Sequence, residues 1–374
     1  MRIGILVPSI GAFGQKGFYN AQEIGLAKAL DKLCDEIVVY RLTDFRNETK
    51  SEPIEGCKNA AYHLLPAKRI GSNGLPDLKQ LDASLDVLIF FSDTQLCVPQ
   101  VHRWAERNDI VLIPYIGVAE SHSGNRMKKL AMDLLFRRNV AVYKKHRCAA
   151  KTPAVKAELM EMGISDVTVA PIGLDLSLLN ADYLAADAGV LKQKYGYSSE
   201  DRVLLFIGRM TEEKQPLQMV RLFAQLYGRD PSYRLFMVGT GELCEQVSSE
   251  VERLGLSDCV QMRDRIPNRD IWELYRIADC FVNLNRQEIF GMAILEAMYY
   301  GCKVVAWEAP GPSFIIEDGM SGCLADSDEE MIDKVFGCSI SAEEACRRVK
   351  NHFTWTRTAD IVLCLCVRDC CIRY

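Results

Sequence analysis

No apolar stretch in this sequence approaches the length needed to cross a bilayer. The longest uncharged runs, such as Val87-Leu-Ile-Phe-Phe91 and Val203-Leu-Leu-Phe-Ile207, are strand-sized. A large charge of one sign is also lacking. Forty-five Lys and Arg against 50 Asp and Glu leave a net charge of −5, which argues against a general nucleic-acid binder while leaving room for local basic patches. The dinucleotide pattern G-x-G-x-x-G and the P-loop are both absent. So are the two well-separated Cys or His pairs that a zinc site needs, and no metal is expected. The apolar start, Met1–Ile10, is interrupted by Pro8 and followed by no small-residue cleavage site, so it reads as a buried first strand rather than a leader.

Cysteine is plentiful: fifteen are present, scattered and odd in number. That is not the pattern of a small disulfide scaffold. Cys280 and Cys302 sit in or beside apolar runs, where a free thiol behaves as a small hydrophobe. The tail Leu363-Cys-Leu-Cys-Val-Arg-Asp-Cys-Cys-Ile-Arg-Tyr374 admits two readings, a soft-metal site or an apolar terminal helix. The cytoplasm is the compartment this usage fits.

The 374 residues give room for two or three domains, and 49% hydrophobic with 25% charged residues is ordinary for a globular chain. Short apolar runs alternate with helical patterns, the signature of βα units around parallel sheets. In the first half the strands are expected near Arg2–Val7, Glu36–Tyr40, Asp86–Phe91, Ile110–Pro114 and Val140–Tyr143. The clearest helix is Asn125–Arg137, with Met127, Leu130, Ala131, Leu134 and Leu135 on one face. A second series runs Arg202–Ile207, Tyr233–Val238, Cys280–Leu284 and Lys303–Ala306. The expected fold class is therefore α/β, two tandem Rossmann-like doubly wound domains facing each other across a ligand cleft. The boundaries fall at 1–172, 173–345 and a helical segment 346–374 packing back toward the first domain.

Four constellations carry chemistry. In Phe206-Ile-Gly-Arg-Met-Thr-Glu-Glu-Lys-Gln-Pro216 a strand ends, Gly208 turns the chain, and Arg209 and Lys214 stand where a helix terminus favours a phosphate. Met237-Val-Gly-Thr-Gly-Glu242 repeats the strand and glycine turn, with Gly239 and Gly241 allowing close backbone approach. In Asn285–Gly301, Glu288 precedes a helix and Glu296 lies within its apolar body, where a carboxylate needs hydrogen-bond donors. Those donors could be ligand hydroxyls, or Glu296 could pair with a lysine. Amides around Gly291–Ala293 suit a pyrophosphate. Last, Gly11-Ala-Phe-Gly-Gln-Lys-Gly17 follows the first strand with glycines spaced G-x-x-G-x-x-G, as either a phosphate loop or a plain one.

Together these residues resemble the retaining GT-B glycosyltransferases of family 4, with G-R-(L/M)-x-x-x-K, V-G-x-G and E-x7-E in that order. Ile277-Ala-Asp-Cys-Phe-Val-Asn283 resembles the family's A-D-x-F-V strand, and the likeness is strong from about residue 170 to 325. It implies a sugar transferred from a nucleoside-diphosphate sugar to a hydroxyl acceptor without a metal or other cofactor, in cell-surface polysaccharide or glycolipid synthesis. By resemblance, Arg209 and Lys214 hold the donor diphosphate, Glu288 the sugar hydroxyls and Glu296 the ribose. Gly208, Gly239, Phe290, Gly291 and Met292 line the donor, with Gly14 and Gly17 closing over its phosphates. His122 is the best-placed of the five histidines to approach the sugar. Asp93 is an acceptor-side candidate. The chain departs from the family at Leu284-Asn285 and at Ile289, which stand where relatives carry Pro-Ser and Gly.

The segment Arg126–Arg147 gathers Arg126, Lys128, Lys129, Arg137, Arg138, Lys144, Lys145 and Arg147 against Asp133 alone. It reads as a solvated face or as a contact for anionic headgroups at the inner face of a membrane, or for a lipid-linked acceptor. Two further readings of the chain stand beside transfer: an NDP-sugar epimerase and a non-catalytic nucleotide-sugar binding protein.

Overall fold

The computed structural model describes residues 1–10, 21–44, 47–71, 73–119 and 126–367, the side chain of Lys128 excepted. His122, Gly14, Gly17 and the last cysteines of the tail lie outside them. Two compact units result: residues 1–175 with 354–374, and residues 176–353. The sequence expectation drew its lines at 172/173 and 345/346.

The first unit is a mainly parallel sheet. Its strands are β1 (Arg2–Val7), β2 (Glu36–Asp44), β3 (Lys50–Pro53), β4 (Ala60–Ile70), β5 (Asn73–Leu75), β6 (Val87–Phe91), β7 (Val111–Ile116), β8 (Cys148–Ala150) and β9 (Val167–Val169). They lie in the order β3-β4-β2-β1-β6-β7-β8-β9, with β5 beside β4. From β1 the chain moves outward to β2. It returns at β6 and then proceeds the other way, so the strand order reverses between β1 and β6. In such sheets ligands bind outside the carboxyl ends of the strands at that reversal. The helices of this unit up to residue 175 are α1 (Gln22–Leu30), α2 (Val98–Arg107), α3 (Arg126–Tyr143) and α4 (Pro153–Glu161). Thr152 caps α4 by accepting from the Val155 amide at 3.3 Å, with Pro153 at its first position.

The second unit has β10 (Arg202–Ile207), β11 (Tyr233–Val238), β12 (Val260–Arg263), β13 (Cys280–Asn283), β14 (Val304–Trp307) and β15 (Cys323–Ala325), all parallel, in the order β12-β11-β10-β13-β14-β15. Its helices are α5 (Ala188–Lys194), α6 (Pro216–Arg229), α7 (Cys244–Arg253), α8 (Ile271–Ile277), α9 (Met292–Tyr299), α10 (Pro310–Ile315), α11 (Asp328–Gly337) and α12 (Ala342–His352). The reversal here lies between β10 and β13. Strands such as VLLFI of β10 are apolar on both faces because helices cover both sides of a parallel sheet. The helix α13 (Trp355–Cys366) belongs to the first unit. Thr354 caps it, and the Thr358 hydroxyl donates to the Pro171 carbonyl at 2.6 Å, tying it to the segment that ends that unit.

Two expectations are corrected. Val140–Tyr143 is the last turn of α3, not a strand, and the strand follows at β8. Asn139 and Tyr143 face inward there, donating to the carbonyl of Asp93 at 3.1 and 2.8 Å, and such bonds hold the run in the helix. The apolar face of α3 is the outer one: Met127, Leu130 and Leu134 are 84%, 63% and 57% exposed, while Phe136, Asn139, Val140 and Tyr143 pack inward. Cys323 and Cys338 form a disulfide between β15 and the end of α11, where scattered free thiols were expected. Cys280 and Cys302 are free and buried. Among the described residues no helix is long and apolar enough to cross a membrane.

Candidate active site

The second unit gathers charge at the point where its strand order reverses. After β10, the turn Gly208-Arg209-Met210 leads through a single helical turn, Glu212–Lys214, to Gln215 in the left-handed region, and α6 starts at Pro216. After β13, the loop Leu284–Gly291 leads to α9. These two loops flank the reversal, and their side chains meet. Lys214 Nζ donates to Glu288 Oε2 at 2.6 Å, with the two side chains 21% and 15% exposed. The same oxygen lies 3.4 Å from Asn283 Nδ2 and 3.3 Å from Asn285 Nδ2. Arg209, well exposed, donates to Glu213 Oε2 at 3.0 Å, and Asn285 Nδ2 reaches the other Glu213 oxygen at 3.4 Å. Arg209, Lys214 and Glu288 thus form one network, through two residues the motif reading did not rank: Glu213 and Asn285.

Local geometry explains the loop's rigidity. Asn283 Oδ1 accepts from the Asn285 amide, Asn285 Oδ1 from the Gln287 amide, and the Asn285 carbonyl from the Glu288 amide. These short side-chain turns hold Glu288 on the loop without regular structure. Asparagine where relatives carry Pro-Ser therefore supplies both the turn and the amide that touches both glutamates.

The glycine pair 239 and 241 has a different cause from the one expected. A Cβ at Gly239 would collide with the Gly208 carbonyl oxygen, and one at Gly241 with the Met210 carbonyl oxygen. The Gly208 amide donates to Val238 O at 3.0 Å and the Met210 amide to Thr240 O at 2.9 Å. The second glycine turn thus packs directly under the loop that carries Arg209. It supports that loop, and the glycines make room for its backbone.

Glu296 lies buried on α9 and accepts from the Tyr275 hydroxyl at 2.9 Å. Tyr275 stacks on Tyr300, ring centroids 5.9 Å apart. Gly291 is the residue before α9, at φ +102, a left-handed conformation that turns the loop into the helix, and Met292 is the first helical residue. Phe290 sends its ring inward against Phe353 at 6.3 Å.

Asp93 follows β6, and its Oδ1 accepts from the amides of Gly117 at 2.7 Å and Val118 at 3.2 Å; burial pushes its carboxyl above the usual range. Arg126 is exposed at the start of α3, and Lys129 lies 3.6 Å from Asp133 one turn on. Among the described residues no group of three His, Cys, Asp or Glu side chains converges as a metal site.

Residues 188–351 match the family model described as Glycosyl transferases group 1. The D-inositol 3-phosphate glycosyltransferase of Segniliparus rotundus is 26% identical over 284 residues, a match covering 72% of this chain and 61% of that protein. The chain thus spans less than two thirds of the length of the curated relatives it matches. Among solved structures, Anabaena HepE in complex with UDP and glucose superposes with a TM-score of 0.69 at 18% identity, covering 97% of this chain and 98% of the other. Sucrose-phosphate synthase from Thermosynechococcus elongatus gives 0.73 at 16% identity, covering 98% of each. The likeness to these solved structures shows the fold, GT-B with two Rossmann-like units, and within the second unit residues 188–351 are similar to the glycosyl transferases group 1 model.

Proposed function

We propose that this chain is a retaining glycosyltransferase of family 4, moving a hexosyl group from a nucleoside-diphosphate sugar to a hydroxyl acceptor without a metal. The observation that carries the reading is the Lys214–Glu288 pair, with Arg209 beside it, at the strand reversal of the second unit. An isolated ion pair there would be an ordinary surface feature. Its place at the binding edge, in a segment that matches the family, makes it a donor site.

In this reading the donor diphosphate draws Lys214 from Glu288 and Arg209 from Glu213. The two cations then meet the negative charge that grows on the departing nucleoside diphosphate. Glu288, released, accepts from hydroxyls of the transferred sugar, and amides around Gly291 and Met292 approach sugar and phosphate. Glu296, ordered by Tyr275, takes the ribose. HepE was crystallised with UDP and glucose, which supports a UDP-sugar as the first donor to try.

The exposed stripe Met127, Leu130, Leu134 on α3, flanked by Arg126, Lys129 and Arg137, supports contact with an anionic bilayer at the inner face of a membrane. Such a surface would present a lipid-linked acceptor. Vesicles containing phosphatidylglycerol should sediment the protein, and Leu130→Glu with Leu134→Glu should abolish this; equal binding by both proteins rejects the contact.

Thermal melting with UDP-, GDP- and ADP-sugars tests the donor. One of them should raise the melting temperature, because a ligand bound only by the folded state stabilises it. NMR of the product made from that donor then reads the anomeric configuration. No shift with any of them, or an inverted product, overturns the reading.

A further inference from the structure

The carboxyl edge of the first unit's sheet holds a cation whose ammonium makes no hydrogen bond among the described residues. Lys151 directly follows β8 and is half-buried. Its amide donates to the Ile116 carbonyl at 3.0 Å, which fixes the residue beside the end of β7. Its Nζ lies over two ring faces, 5.7 Å from the centroid of Phe91 and 5.6 Å from that of Tyr115. Those rings are held edge to face at 4.9 Å, and the Tyr115 hydroxyl is anchored on the Ala170 carbonyl at 2.9 Å. Space for the ammonium is built into the chain: a Cβ at Gly117 would stand 2.8 Å from both Cδ and Nζ of Lys151.

Among the described residues Lys151 Nζ has neither a hydrogen-bond acceptor nor a carboxylate within ion-pair distance. Of the two nearby carboxylates, one is paired and the other uses one of its two oxygens. Glu23 pairs with Arg41 at 3.0 Å, and Asp93 Oδ1 receives the amides of Gly117 and Val118. Both favour the charged form of Lys151 from a distance, while burial pulls its pKa down. Cation–π contact recovers part of the lost hydration, but three N–H donors remain to be satisfied. An arm held in this way has a standing preference for an incoming oxyanion. Asp93 stands on the same edge, its second oxygen accepting no hydrogen bond from the described residues.

We propose that Lys151 and Asp93, at the carboxyl ends of β6, β7 and β8, form a binding site for a small hydroxyl compound bearing an oxyanionic group, phosphate or carboxylate. The ammonium takes the anion, and the free Asp93 oxygen accepts from a neighbouring hydroxyl. Naming that compound the acceptor rests on the transfer reading above; the site itself does not. Lys151 is a binding residue, and no bond is made or broken at it.

The test is calorimetric titration of the full chain with inorganic phosphate and, separately, with acetate, in protein that also carries Arg209→Ala and Lys214→Ala to silence the second unit's cations. The anion that fits should bind, and Lys151→Ala should weaken it about tenfold or more, the scale of one charge-assisted hydrogen bond. Gly117→Ala, which displaces the arm without removing it, should weaken it as well. UDP titrated into the Lys151→Ala chain with the second unit intact should bind as it does to the unaltered protein. The site is overturned if neither anion binds, or if Lys151→Ala leaves binding unchanged. It is equally overturned if that variant weakens UDP and anion alike. Anion binding lost with Lys151 in a protein that ignores every nucleoside diphosphate would keep the site and reject the transferase reading.

Discussion

The two sheets reverse their strand order in the same way, yet the charges they collect at that edge are arranged oppositely. In the second unit every charge of the network has a partner: Lys214 on Glu288, Arg209 on Glu213, and Asn285 touching both carboxylates. In the first, Asp93 is held by two amides while Lys151 rests on aromatic rings with no acceptor among the described residues. A diphosphate brings enough charge to draw two cations off their carboxylates, so a site for it can be kept paired when empty. A singly charged group brings less, and a site for it works best with a cation that has nothing to give up. The same reversal of strand order therefore hosts two electrostatic solutions, set by side chains in the loops that follow the strand ends.

The largest expected effect breaks the second unit's pairing. Lys214→Ala should lower turnover about a hundredfold or more, since a cation aimed at developing phosphate charge is worth a few kcal/mol in the transition state. Glu288→Gln keeps the loop's size and should lower turnover while leaving nucleoside diphosphate binding nearly intact. Rates within threefold of the unaltered protein in both variants would remove the network from the reaction.

The same edge can be compared through stability. Lys214→Ala leaves Glu288 with only amide donors in a mostly buried setting, and it should lower unfolding free energy by about 1–2 kcal/mol, less than for a fully buried pair because both groups keep some water. Lys151→Met removes a half-buried cation with no acceptor and should be neutral or mildly stabilising by chemical denaturation. If Lys151→Met costs as much as Lys214→Ala, the contrast between a paired and an unpaired edge is wrong.

A third expectation concerns the support beneath Arg209. Gly239→Ala places a Cβ against the Gly208 carbonyl at a positive φ and should destabilise by roughly 2–3 kcal/mol. Gly208→Ala meets Lys214 and Phe206 side chains only at ordinary distances of 3.7 and 3.8 Å and should cost much less. Equal melting temperatures for the two variants would contradict the packing of the two turns.

How much of this was legible in the sequence follows from where each feature is encoded. Apolar strands bounded by glycines announce themselves locally, so β1, β10 and β11 fall where expected. The residues around Arg209, Lys214 and Glu288 were visible because turn chemistry and charge are local too. That Glu213 and Asn285 would close the network was not, because it depends on two loops 70 residues apart. The direction of the α3 stripe was not legible for a specific reason. Periodicity finds an apolar stripe but not which way it points, and here Asn139 and Tyr143, through hydrogen bonds to Asp93, orient the helix against the stripe. Four residues, Val140–Tyr143, are also too few to tell a strand from a helix end. Lys151 gave no signal, since its meaning lies in what does not touch it.

The smallest effect separates the units by acid. His102 and His146 face each other in the first unit, Nδ1 to Nε2 at 2.9 Å, with Glu106 3.4 Å from the other side of His102 and Lys145 and Arg103 nearby. One proton can bridge the rings, and a second charge cannot be accommodated. Burial, reinforced by the neighbouring imidazole, lowers the pKa of His146 from 6.5 to about 4. The unfolded chain therefore takes up the proton first. Stability contributed by the neutral pair is intact above pH 6.5, declines as pH falls from 6.5 toward 4, and changes no further from this source below it. Hydrogen exchange at pH 7 and pH 5 should thus show faster opening of α2 and the end of α3 in acid, with the β10–β13 core of the second unit changing less. His146→Gln should flatten the difference between the two pH values in the first unit while leaving the second as it was. Uniform acceleration across both units, or a slope that survives the substitution, would place the acid sensitivity elsewhere.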